Sequence, residues 1–283
     1  MKAAAFRYAC ATSAAHAQAL LAEHGEDARI LAGGQSLLAA LNLRLSEPAI
    51  LIDIGRIGHA DIAAGGNRLR LGALATHAAI GRSAAVAEAA PLLAQAVPHI
   101  AHPAIRNRGT IGGSLALGDP AAEWPACALA LGAEIVLGSA ACGERRVAAE
   151  DFFLGLYSTA CAADEMVLAA EFPAAAPNEW QVCLELARRR GDYALVGVAA
   201  RAVVAGGRVS ALRAAFFGVG ATPVLARGAS RAAEDAPVAE AARAAADALG
   251  RDLDPPGDPT TDGATRLRLA RVLLRRAVEA MAT

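Results

Sequence analysis

The segment Arg106–Pro125 reads Arg-Asn-Arg-Gly-Thr-Ile-Gly-Gly-Ser-Leu-Ala-Leu-Gly-Asp-Pro-Ala-Ala-Glu-Trp-Pro and places several glycines among small residues. Thr110 and Ser114 flank the Gly112-Gly113 pair. Backbone N–H groups without side chains in front of them, next to hydroxyl groups, are suited to binding a phosphate. One such loop is weak evidence, because an ordinary tight turn has the same composition.

An earlier stretch, Ile30–Leu38, repeats this pattern after an apolar, strand-like run. We call residues 32–36 the first glycine loop and residues 109–114 the second glycine loop. Two loops of this kind in one chain favour a single anionic ligand held between them.

Composition excludes several classes of protein. With 283 residues and a net charge of -1, the chain can form one large domain or two to three smaller ones, and nothing indicates nucleic-acid or anionic-membrane binding. None of the five cysteines forms a Cys-x-x-Cys pair, so neither a zinc site nor an iron–sulfur cluster is indicated. Scattered, apolar-flanked thiols fit a reducing cytoplasm, and no apolar run is long enough to span a bilayer.

The N-terminal part is predicted to be βαβ-like, without the Gly-x-Gly-x-x-Gly fingerprint of a Rossmann unit. Ser36 is expected to cap a helix with Leu37, Leu38, Leu41 and Leu45 on its apolar side and Pro48 at its end. The predicted elements here are helix 12–23, strand 28–32, the helix after Ser36 and strand 50–54.

The middle part begins with a predicted hairpin within residues 61–80, turning at Gly65-Gly66-Asn67, after which Thr76 caps a helix. A helix over 86–97 should break or kink at Pro91. Helix and strand are then expected over 127–137, strands over 145–147 and 166–172, and a turn with a buried aromatic pair over 151–155.

The Ala- and Pro-rich stretch 173–178 is the best domain boundary. We expect a first domain, 1–175, with lobes of about 1–55 and 56–175, and a C-terminal domain, 176–283. The C-terminal elements predicted are strands 181–186, 193–204 and 209–219, then helices 231–249 and 264–280.

At its glycine loops the chain resembles the FAD-binding medium subunit of the molybdenum hydroxylases, the family of xanthine dehydrogenase and carbon monoxide dehydrogenase. The matching segments occur in family order along nearly the whole chain. They are Leu31–Leu38 with Asn42–Leu45, Ile105–Ser114, Asp119–Glu123, Asp151–Phe153 and Gly191–Ala199.

The resemblance implies an α+β fold: a two-lobed FAD-binding domain of the PCMH type, followed by a three-stranded antiparallel sheet with a helical bundle. It places the FAD diphosphate on the two glycine loops and an acidic residue at the ribityl or ribose region. The flavin ring would lie near an aliphatic pair and a tyrosine. The residues carried over are Leu31, Ala32, Gly33, Gly34, Gln35, Ser36, Leu37, Thr110, Ile111, Gly112, Gly113 and Ser114 for the diphosphate, Glu123 for the ribityl or ribose region, and Ile100, Val167 and Tyr193 for the ring.

One departure is Glu185, in a stretch where many relatives carry a lysine, so a basic contact to the flavin edge is not expected. No histidine lies in either loop, so FAD should be non-covalent. The implied function is an electron-transfer subunit that takes electrons from [2Fe-2S] clusters of a small subunit and passes them to an external acceptor. The molybdenum cofactor would belong to a large subunit, in an assembly with two copies of each chain.

Several residues keep two interpretations. The Arg106–Arg108 trio is either a diphosphate contact or a surface or partner contact, and the run Arg188–Arg190 is more simply solvated or at an interface. His77, His99 and His102 lack metal-ligand spacing and favour structural roles. Tyr193 is either a core aromatic or a flavin-stacking residue.

No acid–base pair or activated nucleophile is recognisable, so no catalytic and no metal-binding residue is assigned. A relay flavin needs only position, shielding and tuning from its protein. The alternatives are a stand-alone FAD-dependent oxidoreductase with its own small substrate, or a nucleotide-binding regulatory or assembly protein.

Overall fold

A computed structural model describes residues 2–282. The chain begins with a small parallel sheet whose strand order is β1-β3-β2. The elements are β1 (Arg7–Cys10), α1 (Ala14–His24), β2 (Ala28–Leu31), α2 (Leu37–Asn42) and β3 (Ile50–Asp53). The predicted first helix is confirmed: the Ser13 side chain accepts from the His16 N–H, and Gly25 with φ of 50° ends the helix. Strand β1 was not predicted, since its four residues are exposed or half-buried and carry no apolar pattern.

The prediction for the helix after Ser36 is wrong in its length and its apolar face. Leu41 is buried, whereas Leu38 and Leu45 are exposed. Arg44 has a φ of 56°, and the Leu45 N–H bonds to the Ala40 carbonyl, which is the Schellman closure of a helix end. The helix therefore ends before Pro48 can act on it.

The middle of the chain forms a five-stranded antiparallel sheet in the order β4-β5-β10-β6-β7. Its strands are β4 (Ile62–Gly65), β5 (Arg68–Gly72), β6 (Glu134–Ser139), β7 (Gly143–Ala148) and β10 (Glu165–Pro173), with a separate hairpin of β8 (Phe153–Gly155) and β9 (Ser158–Thr159). The predicted hairpin is confirmed, because Gly66 and Asn67 adopt the positive φ that its turn requires. Leu69 and Leu71 of β5 are fully buried.

Seven helices cover this sheet or connect its strands. They are α3 (His77–Arg82), α4 (Ala84–Ala89), α5 (Pro91–Ala96), α6 (Pro103–Arg106), α7 (Ile111–Leu117), α8 (Glu123–Leu131) and α9 (Ala149–Phe152). The break at Pro91 is confirmed, because proline begins α5 where an N–H would have no helical partner. Of the aromatic pair at 152–153, Phe152 is fully buried and Phe153 is half-buried against it.

The last part contains the three predicted long strands, extended by two strands of two residues each. The elements are β11 (Glu179–Ala187), β12 (Ala194–Ala205), β13 (Arg208–Phe217), β14 (Val224–Leu225), α10 (Arg227–Ala232), β15 (Ala236–Pro237), α11 (Val238–Ala248) and α12 (Gly263–Glu279). A single helix over 231–249 is wrong: the chain is interrupted at β15, which pairs with β13, and Pro237 cannot continue a helix from α10. The final helix is confirmed and is capped by Asp262.

Candidate functional site

The two glycine loops are in direct contact. The first lies between the end of β2 and the start of α2, and the second lies between α6 and α7. A Cβ atom on Gly33 would overlap the Arg108 carbonyl group and would lie 2.9 Å from the Gly109 Cα. Glycine at position 33 is therefore what allows the two backbones to meet, as the sequence analysis expects for loops that share one ligand.

The first glycine loop holds unused donors. Within residues 2–282, none of the backbone N–H groups of Gly33, Gly34, Gln35 and Ser36 donates a hydrogen bond to the protein. Gly34 has a φ of 73°, and the Gln35 side chain donates to the Gly33 carbonyl at 3.0 Å, which holds the turn in shape. A run of free N–H groups on a glycine turn is a concave anion-binding surface.

Most N–H groups of the second glycine loop are bound within the protein. The Ile111 N–H donates to the Ala75 carbonyl at 3.1 Å and the Gly112 N–H to the Ala73 carbonyl at 2.9 Å. Thr110 caps α7 by accepting from the Gly113 N–H at 3.2 Å. This loop is thus fastened to the segment after β5, and it forms a wall facing the donors of the first loop.

Gly113 is the exposed part of that wall. A Cβ atom there would lie 3.0 Å from the Thr110 hydroxyl and 4.0 Å from the Ala32 Cβ across the gap. Gly112, in contrast, is buried, and a Cβ atom there would lie 2.5 Å from the Ala73 Cβ. Gly113 therefore faces the space between the loops, whereas Gly112 packs against Ala73.

A buried histidine supports the second loop from behind. The Trp124 Nε1–H donates to His77 Nδ1 at 2.9 Å, and the His77 backbone N–H donates to the Gly109 carbonyl at 3.0 Å. Burial, with a smaller contribution from Arg106, lowers the pKa of His77 to about 4. His77 is consequently a neutral structural residue at pH 7. No group of three or more His, Cys, Asp or Glu suited to a metal ion occurs in the described residues.

An acidic and aromatic cluster follows α7. The Tyr193 ring is 69% exposed, so the core interpretation of this residue is wrong. Reduced hydration and the neighbouring Asp119 carboxylate, which its hydroxyl contacts, raise the pKa of Tyr193 to about 12. Tyr157, from the β8–β9 turn, is exposed and interacts with the same carboxylate. Sequence reasoning missed Tyr157, because only the folded hairpin brings it here.

Glu123 begins α8 beside this cluster. Burial raises its pKa to about 8, with smaller contributions from Glu185 and Asp119, while its own backbone N–H acts in the opposite direction. A carboxyl group of this kind is mostly protonated at pH 7 and can donate a hydrogen bond. It is therefore suited to contact with a hydroxyl-rich ligand.

The aliphatic residues assigned to the ring lie in the protein interior. Ile100 and Val167 are 7% and 6% exposed and belong to the core cluster of the middle sheet. Leu31 and Leu37 are half-buried at the ends of the first loop. Ile100 is held by Arg106, whose guanidinium donates to its carbonyl and to that of Ala101, both at 2.8 Å.

The residues Arg106–Arg108 differ in their contacts. The Arg106 guanidinium braces its own loop, whereas Arg108 is exposed beside the first glycine loop. Arg188–Arg190 is exposed too, and Gly191 with a φ of 86° folds against Ala101 and His102. That contact brings Tyr193 towards the segment around Ile100.

Two domain families match consecutive parts of the chain. Residues 4–175 match "FAD binding domain in molybdopterin dehydrogenase" and residues 183–281 match "CO dehydrogenase flavoprotein C-terminal domain". The chain is 45% identical over 219 residues to the nicotine 6-hydroxylase medium subunit of Paenarthrobacter nicotinovorans, covering 77% of this chain and 76% of that one. It is 37% identical over 277 residues to the carbon monoxide dehydrogenase medium chain of Hydrogenophaga pseudoflava, covering 97% and 96%.

Solved structures agree with these matches over the full length. A chain of carbon monoxide dehydrogenase from Hydrogenophaga pseudoflava superposes with a TM-score of 0.96 at 36% identity, covering 100% of both chains. A chain of quinoline 2-oxidoreductase from Pseudomonas putida 86 gives a TM-score of 0.94 at 37% identity, covering 100% of this chain and 98% of that one.

Proposed function

Since this chain belongs to the family of FAD-binding medium subunits of the molybdenum hydroxylases, we propose that it is the FAD-carrying electron-transfer subunit of such an enzyme. It takes electrons from [2Fe-2S] clusters of a partner subunit and passes them to an external acceptor. A bound flavin supplies the redox chemistry, since it accepts electrons singly and delivers them in pairs.

The observation that carries this proposal is the contact between the two glycine loops, with free N–H groups on one side and Gly113 on the other. The residues present fit an FAD diphosphate, because adjacent free donors on a glycine turn bind an anion without a side-chain cation. We assign the diphosphate to residues 31–37 and 110–114, and the ribityl or ribose hydroxyls to Glu123.

The ring is assigned to the neighbourhood of Ile100, Val167 and Tyr193. Tyr193 supports this assignment most directly, because it presents an exposed aromatic ring next to Glu123 and Asp119. Ile100 and Val167 are largely buried, so they would contribute apolar packing next to a bound ring.

The partners proposed are an iron–sulfur small subunit and a molybdopterin large subunit, two copies of each with this chain. The names of the relatives support this, since they are called medium subunits or medium chains of dehydrogenases and a hydroxylase. We also propose two domains, 1–175 and 176–283, and a cytoplasmic location, with five free cysteines among the described residues as support for the latter. In the part of the chain that is described, no helix has the length and apolar character needed to cross a bilayer.

A stand-alone FAD-dependent oxidoreductase is the second candidate. Against it stands the match of residues 183–281 to a flavoprotein domain of carbon monoxide dehydrogenase, in sequence with the FAD-binding domain. We therefore keep the relay function as the conclusion.

Co-purification with flavin analysis tests the proposal. A tagged chain expressed with its neighbouring genes should recover two further chains, and its absorption spectrum should show an oxidised flavin. Acid precipitation should release that flavin into the supernatant, because no histidine lies in either glycine loop. A lone chain that reduces an acceptor with its own substrate would refute the relay function, and flavin in the pellet would refute non-covalent binding.

A further inference from the structure

Glu185 is a buried acid without a fixed cation. Its side chain is 3% exposed, and its Oε2 atom is buried with no hydrogen-bond partner among residues 2–282. The nearest basic atom described is Nδ1 of His99, at 3.8 Å, which is beyond hydrogen-bonding distance. Glu185 therefore differs from a buried carboxylate that is held in its charged form.

Glu179, on the same strand β11, shows that difference. Its side chain is 7% exposed, yet Arg201 donates to Oε2 at 3.0 Å and Gln181 donates to Oε1 at 2.7 Å. The two acids lie on the same face of the strand, since they are six positions apart along it. The fold thus stabilises the negative charge of Glu179 and leaves a negative charge on Glu185 without a partner.

The groups around Glu185 do not supply a counter-charge. Glu123 of α8 interacts with it as a like charge, and the residue opposite on β12 is Gly197. From α5, Gln95 accepts from the Cys183 N–H of the same strand and carries no charge. Cys183 and the neighbouring Cys127 are buried thiols, and Asp119 and Tyr193 lie beyond Glu123.

His99 is a partly exposed neighbour of Glu185 and offers this carboxyl group a contact that reaches water. Its side chain is 36% exposed. Burial, and then the positive charge of Arg190, lower the pKa of His99, so it is neutral and can both accept and give up a proton. Burial raises the pKa of Glu185 to about 7, which places its titration near physiological pH.

We propose that Glu185, with His99 as its connection to solvent, is a proton-binding site that is linked to reduction of the flavin. This inference rests on the proposed function, which puts the flavin ring near Tyr193 and the ribityl or ribose hydroxyls at Glu123, the acid that interacts with Glu185. When two electrons arrive from the iron–sulfur partner, or from dithionite in vitro, negative charge in the pocket increases. Coulomb repulsion then raises the affinity of the Glu185 carboxylate for a proton.

Two electrons would add two negative charges to the bound flavin, and one proton taken up by the ring would leave one of them uncompensated. One further proton from water would then pass over His99 to the Glu185 carboxylate, forming its O–H bond and balancing that charge. Reoxidation by the acceptor returns that proton to water. Glu185 thus takes up and releases a proton in response to the charge on the flavin, and it exchanges no electrons.

The test uses the purified complex of all subunits. The flavin reduction potential is measured at pH 6 and pH 8 for the natural protein, Glu185→Gln and the matched control Glu179→Gln. At pH 6 all three should agree, since Glu185 is then protonated and resembles glutamine. At pH 8, at a fixed applied potential, the ratio of reduced to oxidised flavin in Glu185→Gln should be about fivefold above the natural protein, for a coupling of one pKa unit that moves the pKa of Glu185 from about 7 to about 8.

Equal potentials of Glu185→Gln and the natural protein at both pH values would overturn the proposal, as would a shift of the same size at both. A second measurement needs no variant of Glu185: proton uptake on dithionite reduction, followed with a pH indicator, should pass through a maximum near pH 7. In His99→Gln this uptake should be at least tenfold slower at unchanged final potential. A flat pH profile would refute the inference, whereas a complex without FAD would refute the proposed function instead.

Discussion

The first and second glycine loops both contain a Gly-Gly pair followed by a serine, but their backbones are bonded in opposite ways. Residues 33–36 donate no backbone hydrogen bond within the described chain, while Ile111 and Gly112 donate to carbonyls of the segment after β5. The first loop is therefore the donor surface and the second is its rigid support. Loops of similar sequence therefore differ in function according to whether neighbouring carbonyl groups bind their N–H groups.

The largest effect is expected where the loops meet. Gly33→Val should reduce FAD affinity at least about a thousandfold, or ~4 kcal/mol, because its side chain would overlap the Arg108 carbonyl and force the loops apart. Flavin content and circular dichroism measure this. Gly65→Val is the matched control, since a Cβ atom there meets nothing within 4 Å. A Gly33→Val protein with full flavin would mean that the loops are ordinary turns.

His77, which supports the second glycine loop, should make the free energy of unfolding depend on pH. His77 has a pKa of about 4 in the folded protein and an ordinary value of 6.5, so the unfolded chain binds this proton more tightly. The free energy of unfolding should therefore be at its full value above about pH 6.5 and lose up to about 3 kcal/mol as the pH falls to 4. Denaturant unfolding of His77→Gln should lack this part of the loss. Parallel curves for both proteins would remove His77 from this role.

Substitutions at Gly113 and Gly112 should separate an effect on FAD binding from an effect on stability. Gly113→Val should weaken FAD binding about a hundredfold by filling the space opposite Ala32, with little loss of helix content. Its neighbour provides the contrast, because Gly112→Ala should cost about 1–3 kcal/mol of stability by overpacking against Ala73. Thermal unfolding and flavin titration together distinguish the two, and identical behaviour of both variants would contradict the assignment.

A smaller difference concerns the two helix starts. Thr110→Ala should cost about 1 kcal/mol of stability, because Thr110 caps α7 through the Gly113 N–H. Ser36→Ala should change stability by no more than a few tenths, because Ser36 makes no side-chain cap bond at α2. Chemical denaturation of both variants is sufficient, and an equal cost at the two positions would erase the contrast between the loops.

The smallest effect on affinity is expected at Tyr193. Tyr193→Ala should leave FAD affinity within about fivefold, or ~1 kcal/mol, yet alter the flavin absorption envelope and reduction potential, since an exposed aromatic ring shields one face of a bound ring system. Tyr193→Phe is the control that keeps the ring. An unchanged spectrum and potential in the alanine variant would place Tyr193 outside the flavin site.

The amino-acid sequence was sufficient to predict the family, the two glycine loops, the first helix, the hairpin turn at 65–67 and the break at Pro91. Each depends on preferences of a few adjacent residues, such as the positive φ of Gly66 and Asn67 or the missing N–H of proline. Such preferences act before any distant contact forms, which is why they can be recognised in a single chain.

Which of the two loops keeps its donors free, and which acid remains unpaired, depends on contacts between distant parts of the chain. The Ile111 and Gly112 N–H groups of the second loop donate to carbonyls of Ala75 and Ala73, and Glu185 lies near His99 of a distant segment. The exposed leucines of α2 and the division of 231–249 by β15 likewise depend on strand pairing and on which surfaces are covered. Hydrogen-bond donors and charges are satisfied by whatever the fold brings near, and this is a property of non-local contacts.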